Sequence, residues 1–267
     1  MLEKYLEMTD KYSEMKFSIR YLFCGVLLGL FLFSLSFALS GCATMGKVSG
    51  SGEPVGSTGG NSVGGKGLPP AKGREPVYRH LSYRQKKLVE GAYKLLGYRG
   101  NRIVVRGRSF NFDCSGTILA IYYYAGIDLT REFSRYTGNG VLRLYKILYY
   151  AHLLYLTKTP RPGDLIFWDN TYDRNHNGKM DDYLTHIGMV VNVYSDGTIE
   201  YVHEHIRKGI VIERMNLRYP NTYRKRINGR FVIINAPIRI KEKGKPHPSK
   251  WLASQLLRAF GKGYLYR

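Results

Sequence analysis

Phe112-Asp113-Cys114-Ser115-Gly116-Thr117-Ile118-Leu119-Ala120-Ile121-Tyr122-Tyr123-Tyr124 is the stretch on which the fold turns. Asp113 stands where a helix N-cap belongs, because a short carboxylate there accepts from the free N–H groups of the first turn. The apolar run behind it reads as a buried helix over 114–124 that ends at Gly126. Cys114 is therefore the first helical residue. The partial positive charge of a helix N-terminus favours thiolate over thiol, so this position predicts a lowered pKa and a reactive sulfur. A small buried hydrophobe is the competing reading of the same cysteine.

Working outward, residues 82–96 have Leu88, Ala92, Leu95 and Leu96 on one stripe, the period of an amphipathic helix. Ile103-Val104-Val105 reads as a short strand, and residues 141–155 as a further helical stretch. Pro160-Arg161-Pro162-Gly163-Asp164 makes a turn into the strand Leu165-Ile166-Phe167-Trp168. Strands follow at 186–193 and 198–203, joined by Ser195-Asp196-Gly197, a hairpin signal. Runs at 209–212 and 230–234 complete a largely antiparallel sheet. Helices first and strands later predict an α+β domain.

The N-terminal part has a different character. Lys4, Lys11, Lys16 and Arg20, mixed with Glu3, Glu7, Asp10 and Glu14, precede an apolar stretch from Tyr21 to Ser40. Such a stretch is long enough to span a bilayer, and it also suits the h-region of a signal peptide. Leu39-Ser40-Gly41-Cys42 resembles a bacterial lipobox, which favours the second reading and makes Cys42 a lipid-attachment site. The chain has three cysteines. With Cys24 inside the signal and Cys42 lipidated, Cys114 is left without a disulfide partner in an oxidising compartment. Residues 42–76 are rich in Gly and Ser with the pair Pro69-Pro70, the composition of a flexible tether. The expected organisation is a signal peptide over 1–41, a lipidated tether over 42–76, a catalytic domain over 77–240 and a basic tail over 241–267. Localisation is expected in the cell envelope, lipid-anchored. Ala43 after the lipidated cysteine favours the periplasmic face of the outer membrane if the organism is diderm.

The formal net charge is +21, and residues 1–41 balance their own charges, so removing them leaves it unchanged. A generic solvated basic surface is one reading of so basic a chain, and the competing one is that it suits anionic partners. Outside the cytoplasm these are envelope lipids and the carboxylates of peptidoglycan stem peptides, and nucleic acid is not expected.

Three further blocks follow the cysteine in order: Pro162-Gly163-Asp164-Leu165-Ile166-Phe167, then Thr185-His186-Ile187-Gly188-Met189-Val190, then Tyr201-Val202-His203. With Phe112-Asp113-Cys114-Ser115-Gly116 they resemble the NlpC family of papain-like cell-wall cysteine peptidases, over roughly residues 85–235. The resemblance implies a papain-like α+β domain with helices packed on a largely antiparallel sheet. It implies that Cys114 is the nucleophile, His186 the general base and His203 the polar residue that orients the imidazole. Asp113 and Ser115 match positions that help form the substrate pocket. The implied reaction is hydrolysis of an amide bond in the stem peptide, between D-γ-glutamate and diaminopimelate, with no cofactor required. The family's upstream Tyr-x-Trp-Gly-Gly element is missing; Tyr98 is the nearest candidate for its tyrosine, in the oxyanion hole or substrate pocket.

Strand register leaves the third residue open. A turn centred on Asp196-Gly197 pairs Val190 with His203 and Gly188 with His205, which brings His205 closer to His186 along the strand. The family match favours His203. Asp173, Asn175, Asn177, Asp181 and Asp182 form an oxygen-rich run followed in part by Gly178, read either as a structural Ca2+ loop or as a plain polar turn. Cys114, His186, His203 and His205 also have the residue types of a Zn2+ site, which gives a metal-binding alternative. A non-catalytic peptidoglycan-binding lipoprotein is another. In the tail, Trp251, Leu252, Leu256 and Phe260 predict a short amphipathic helix that docks on the domain or lies on a membrane.

Overall fold

In a computed structural model the described residues are 75–240 and 248–267. The signal stretch, Cys24, Cys42 and the tether up to residue 74 lie outside them, as does the start of the tail at 241–247.

The first helix, α1 (Tyr83–Lys94), begins on a capping box. The Ser82 hydroxyl accepts from the Gln85 backbone N–H, and the Gln85 side chain accepts from the Ser82 backbone N–H. Gln85 is itself buried, and its amide donates to the Pro162 carbonyl at 2.8 Å, which ties α1 to the turn ahead of the sheet. A hairpin follows, β1 (Arg102–Val105) paired with β2 (Arg108–Asn111). It leads directly into α2 (Cys114–Tyr124), the helix expected from the opening stretch. Gly116 is required where that hairpin meets the helix, since a Cβ there would sit 2.0 Å from the Asn111 carbonyl oxygen. The next helix, α3 (Gly140–Tyr150), is capped by Asn139 and stops earlier than the expected 155, because His152 takes a left-handed backbone conformation. Residues Leu154–Tyr155 are instead the short strand β3.

The main sheet contains β4 (Leu165–Trp168), β5 (His186–Val193), β6 (Thr198–His205), β7 (Gly209–Asn216) and β10 (Leu257–Gly261) beside β3, in the order β3-β10-β4-β5-β6-β7. Every pairing in it is antiparallel. Helix α2 packs on β5 and β6, and also on α1, α3 and the first hairpin. Leu88, Ile118, Ile121, Leu144, Leu148 and Phe167 are fully buried in this part of the core. A second cluster holds Ile166, Trp168, Val190, Ile199, Tyr201, Met215 and Phe260, together with Ala253 and Leu256. Each fully buried large apolar side chain of this kind contributes about 1.5–3 kcal/mol.

Two expectations are corrected here. The tail does not form a short amphipathic helix over 251–260. Leu252 bridges to Pro237, residues 253–255 turn, and Leu257–Gly261 becomes β10, inserted between β3 and β4. The spacing of Trp251, Leu252, Leu256 and Phe260 suits a helix, but the open edge of β4 offers unpaired backbone groups, and pairing them decides the conformation. The indole N–H of Trp168 completes the dock by donating to the Ala253 carbonyl at 2.8 Å. The run at 230–234 also leaves the main sheet. It forms β9 (Arg230–Ile233), which pairs only with β8 (Arg224–Ile227) in a separate, largely exposed hairpin.

Candidate active site

The site lies where the start of α2 meets the start of β5. Asp113 caps α2 with one oxygen, Oδ1, which accepts from the Gly116 N–H at 2.7 Å and from the Ser115 hydroxyl at 2.8 Å. This fixes both residues that flank Cys114. The backbone N–H groups of Ile187 and Ser115 act on the Cys114 sulfur in the direction that favours thiolate. The nucleophile candidate is thus within electrostatic reach of the residue immediately after His186.

His186 is placed by the strand it opens. The Thr185 N–H donates to the Trp168 carbonyl at 3.0 Å, and the Thr185 hydroxyl accepts from the Thr171 N–H at 2.9 Å. The Trp168 ring lies 5.8 Å from the His186 ring and 5.0 Å from that of Tyr201. Gly188 makes room for this indole, because a Cβ at 188 would come within 3.0 Å of the Trp168 ring and 2.9 Å of the Val202 carbonyl oxygen.

The predicted pairing of Val190 with His203 is not the one formed. Val190 pairs with Tyr201, with a bulge between Val190 and Asn192. The β5–β6 ladder ends at Met189–Val202, and beyond it two rings meet edge to face: His186 Nε2 lies 2.9 Å from His203 Nδ1. The His205 ring lies 6.1 Å from that of His203, and its Nδ1 accepts from the Arg207 N–H at 3.1 Å rather than meeting His186. Of the two histidines, the one at 203 is in contact with His186.

Glu213 is not among the residues expected at the site. The strand expected after β6 ends at residue 212, one short of Glu213, whereas β7 runs to Asn216. Glu213 Oε2 lies 3.2 Å from His203 Nε2, and its Oε1 accepts from Lys208 at 2.8 Å. The run Val211-Ile212-Glu213-Arg214-Met215 does not alternate apolar and polar residues, so no local signal carried the strand through Glu213.

The electrostatics reverse one expectation. Cys114 keeps partial access to solvent, yet its thiol is pushed up to about 12. Burial is the main cause, the carboxylates of Asp113 and Glu204 add to it, and the two backbone N–H groups oppose it. Desolvation outweighs the helix N-terminus here. His186 is held well below the ordinary imidazole range, first by burial, then by its histidine neighbours. Both groups rest neutral. Burial raises the Glu213 carboxyl, but hydrogen bonds from His203 and Lys208 win and hold it at about 2.

Tyr98 does not reach the thiol. Its hydroxyl donates to the Arg102 carbonyl, and its ring packs edge-on against Phe112, at 5.7 Å. Asp113 and Ser115 do border a cavity of about 220 Å3, shared with Asn111, Phe133 and Arg143. Arg143 lies over the Phe133 ring and donates through Nε to the Gly138 carbonyl at 2.9 Å.

The loop over 173–182 divides. Asp173 accepts from the Asn177 and Gly178 N–H groups, Asn175 Oδ1 from the Asn177 N–H, and Asp181 from the Asn177 amide. Asp182 turns away into the interior, where it accepts from the Arg174 N–H at 3.0 Å, so it does not join the other four oxygen donors. Among the described residues no group of three or more His, Cys, Asp or Glu side chains converges as metal ligands. His186 Nε2 and His203 Nδ1 face each other, so these two nitrogens do not share an ion.

A helix-borne cysteine set against an antiparallel sheet that carries a histidine pair is the arrangement of papain-like cysteine hydrolases. Residues 93–228, about half the chain, match the NlpC/P60 family, and the chain belongs to it. Members of this family are cell-wall peptidases and hydrolases acting on peptidoglycan. Among curated proteins none matches this chain.

Proposed function

We propose that this protein is a peptidoglycan endopeptidase of the cysteine type, cutting an amide bond of the stem peptide between D-γ-glutamate and diaminopimelate. The observation that carries the reading is the contact of His186 Nε2 with His203 Nδ1 at 2.9 Å, on the strand that packs against the helix opened by Cys114. Because thiol and imidazole both rest neutral, the proton moves during attack. His186 takes it through Nδ1 as the sulfur bonds to the carbonyl carbon. The oxyanion is received by backbone N–H groups at the start of α2, the Cys114 N–H among them. Collapse breaks the C–N bond, His186 returns the proton to the leaving amine, and a thioester remains. Water, deprotonated by His186, then releases the acid product and restores the thiol. No cofactor enters this sequence. In the cavity beside Ser115, Arg143 supplies a cation for a substrate carboxylate.

The same proposal includes a lipid at Cys42 and a tether over 42–76 that holds the domain at the cell envelope, on the periplasmic face of the outer membrane in a diderm. Digestion of purified sacculi, with mass analysis of the released fragments, tests the reaction. The expected products carry a new N-terminal diaminopimelate, and Cys114→Ala abolishes their release while retaining the fold. Undiminished release by Cys114→Ala would end the peptidase reading and leave a non-catalytic binding module.

A further inference from the structure

We infer that Glu213, itself held by Lys208, fixes the protons on both imidazoles and thereby makes Nδ1 of His186 the base. Glu213 is a positioning residue, acting through His203, and the inference rests on the roles proposed for Cys114 and His186. Three contacts fix where the hydrogens lie. Glu213 Oε1 accepts from Lys208 at 2.8 Å, and Oε2 faces His203 Nε2 at 3.2 Å. An ionised carboxylate has no hydrogen to give, so His203 Nε2 must carry one. A neutral imidazole has a single N–H, so His203 Nδ1 presents a lone pair. That lone pair faces His186 Nε2 at 2.9 Å, and the hydrogen between them therefore sits on His186. His186 Nδ1 is left bare, the only state in which it can accept the thiol proton.

The surroundings of the relay preserve this order. His203 is 2% exposed, and it is faced by His186 from β5, by Tyr201 and His205 from β6, and by Glu213 from β7, with the Glu204 carboxyl of β6 within electrostatic reach. Lys208, from the turn between β6 and β7, reaches only the Glu213 end. Hydrogen bonds keep the Glu213 carboxyl ionised across the neutral range. A second proton on His203 would reverse its bond to His186 and put the hydrogen on the wrong nitrogen of the base.

Lys208 makes the idea testable. In Glu213→Gln the amide oxygen is claimed by the Lys208 ammonium, so the NH2 group faces His203 Nε2. His203 must then shift its hydrogen to Nδ1, and His186 Nδ1 becomes protonated. Adding Lys208→Met frees the amide to rotate and offer its oxygen to His203. Long-range 1H–15N spectra of the full-length, histidine-labelled protein in detergent read both tautomers directly. Wild type should show hydrogen on Nε2 of His186 and of His203; hydrogen on Nδ1 of His186 in the resting enzyme would overturn the inference without any variant. Glu213→Gln should reverse both tautomers and lower sacculus digestion by up to about 10,000-fold, the loss that a wrong-tautomer base costs in a triad. Glu213→Gln/Lys208→Met should restore the tautomers and recover at least about tenfold of that loss. Equal losses in the single and double variants, with unchanged tautomers, would mean that Glu213 only supports the fold. Expected tautomers together with digestion that survives Cys114→Ala would leave the relay standing and remove the peptidase reading instead.

Discussion

Unfolding should make Cys114 more reactive toward alkylation, the reverse of what a thiol at a helix N-terminus leads one to expect. The perturbation is urea at constant pH. In the folded chain the thiol is pushed from its ordinary 9.0 up to about 12, with burial as the main cause and the Asp113 and Glu204 carboxylates adding to it. Three pKa units mean about 1000-fold less thiolate near neutral pH, and iodoacetamide reacts with thiolate. Its rate at Cys114, followed at pH 7 by mass analysis of the peptide containing 112–124, should therefore rise by about three orders of magnitude on unfolding. Against pH, the folded protein should show no inflection up to about 9, while the unfolded chain titrates as an ordinary thiol. Glu204→Gln, which removes one of the two carboxylates named above, should speed the folded-state reaction. A folded-state rate at pH 7 equal to or above that of the unfolded chain would refute the reasoning, since it would show that a thiolate–imidazolium pair survives the burial.

Arg143→Ala should raise KM for sacculus digestion at least about tenfold with kcat little changed, because the guanidinium is proposed to bind a substrate carboxylate and not the reacting carbonyl. Glu213 should also mark the acid stability of the fold. Its carboxyl is depressed from 4.5 to about 2, so its contribution is fully present above pH 4.5 and is lost as pH falls through about 2. Thermal melts of wild type and Glu213→Gln should accordingly differ most above pH 5 and converge toward pH 2, with a contribution of about 3 kcal/mol at the plateau. A difference that does not depend on pH would remove the ionised carboxylate from that account.

What could be read in the chain beforehand divides by how local its cause is. The start of α2 was legible because Asp113, Cys114 and the apolar run behind them carry their own instructions: a cap oxygen, a first turn and a buried face. The β5–β6 hairpin was legible for the same reason, since Asp196 and Gly197 set the turn. What escaped was decided by groups distant in sequence. Residues 251–260 carry a helical spacing, and only the vacant edge of β4, nearly a hundred positions away, makes part of them a strand. Glu213 was lost because strand length depends on the neighbour a strand pairs with, and β6 pairs with β7 as far as Asn216. The choice of His203 over His205 depended on where the β5–β6 ladder ends, which the hairpin turn does not fix. The thiol illustrates the same division within a single residue. The helix N-terminus that lowers a pKa is written in residues 113–116, whereas the carboxylate of Glu204, on β6, and the packing that desolvates Cys114 come from elsewhere in the fold. In this site the local influence and the tertiary one oppose each other at the nucleophile. Their balance favours a neutral pair, which is why the placement of one hydrogen on His186, rather than a preformed thiolate, becomes the property the rest of the site must control.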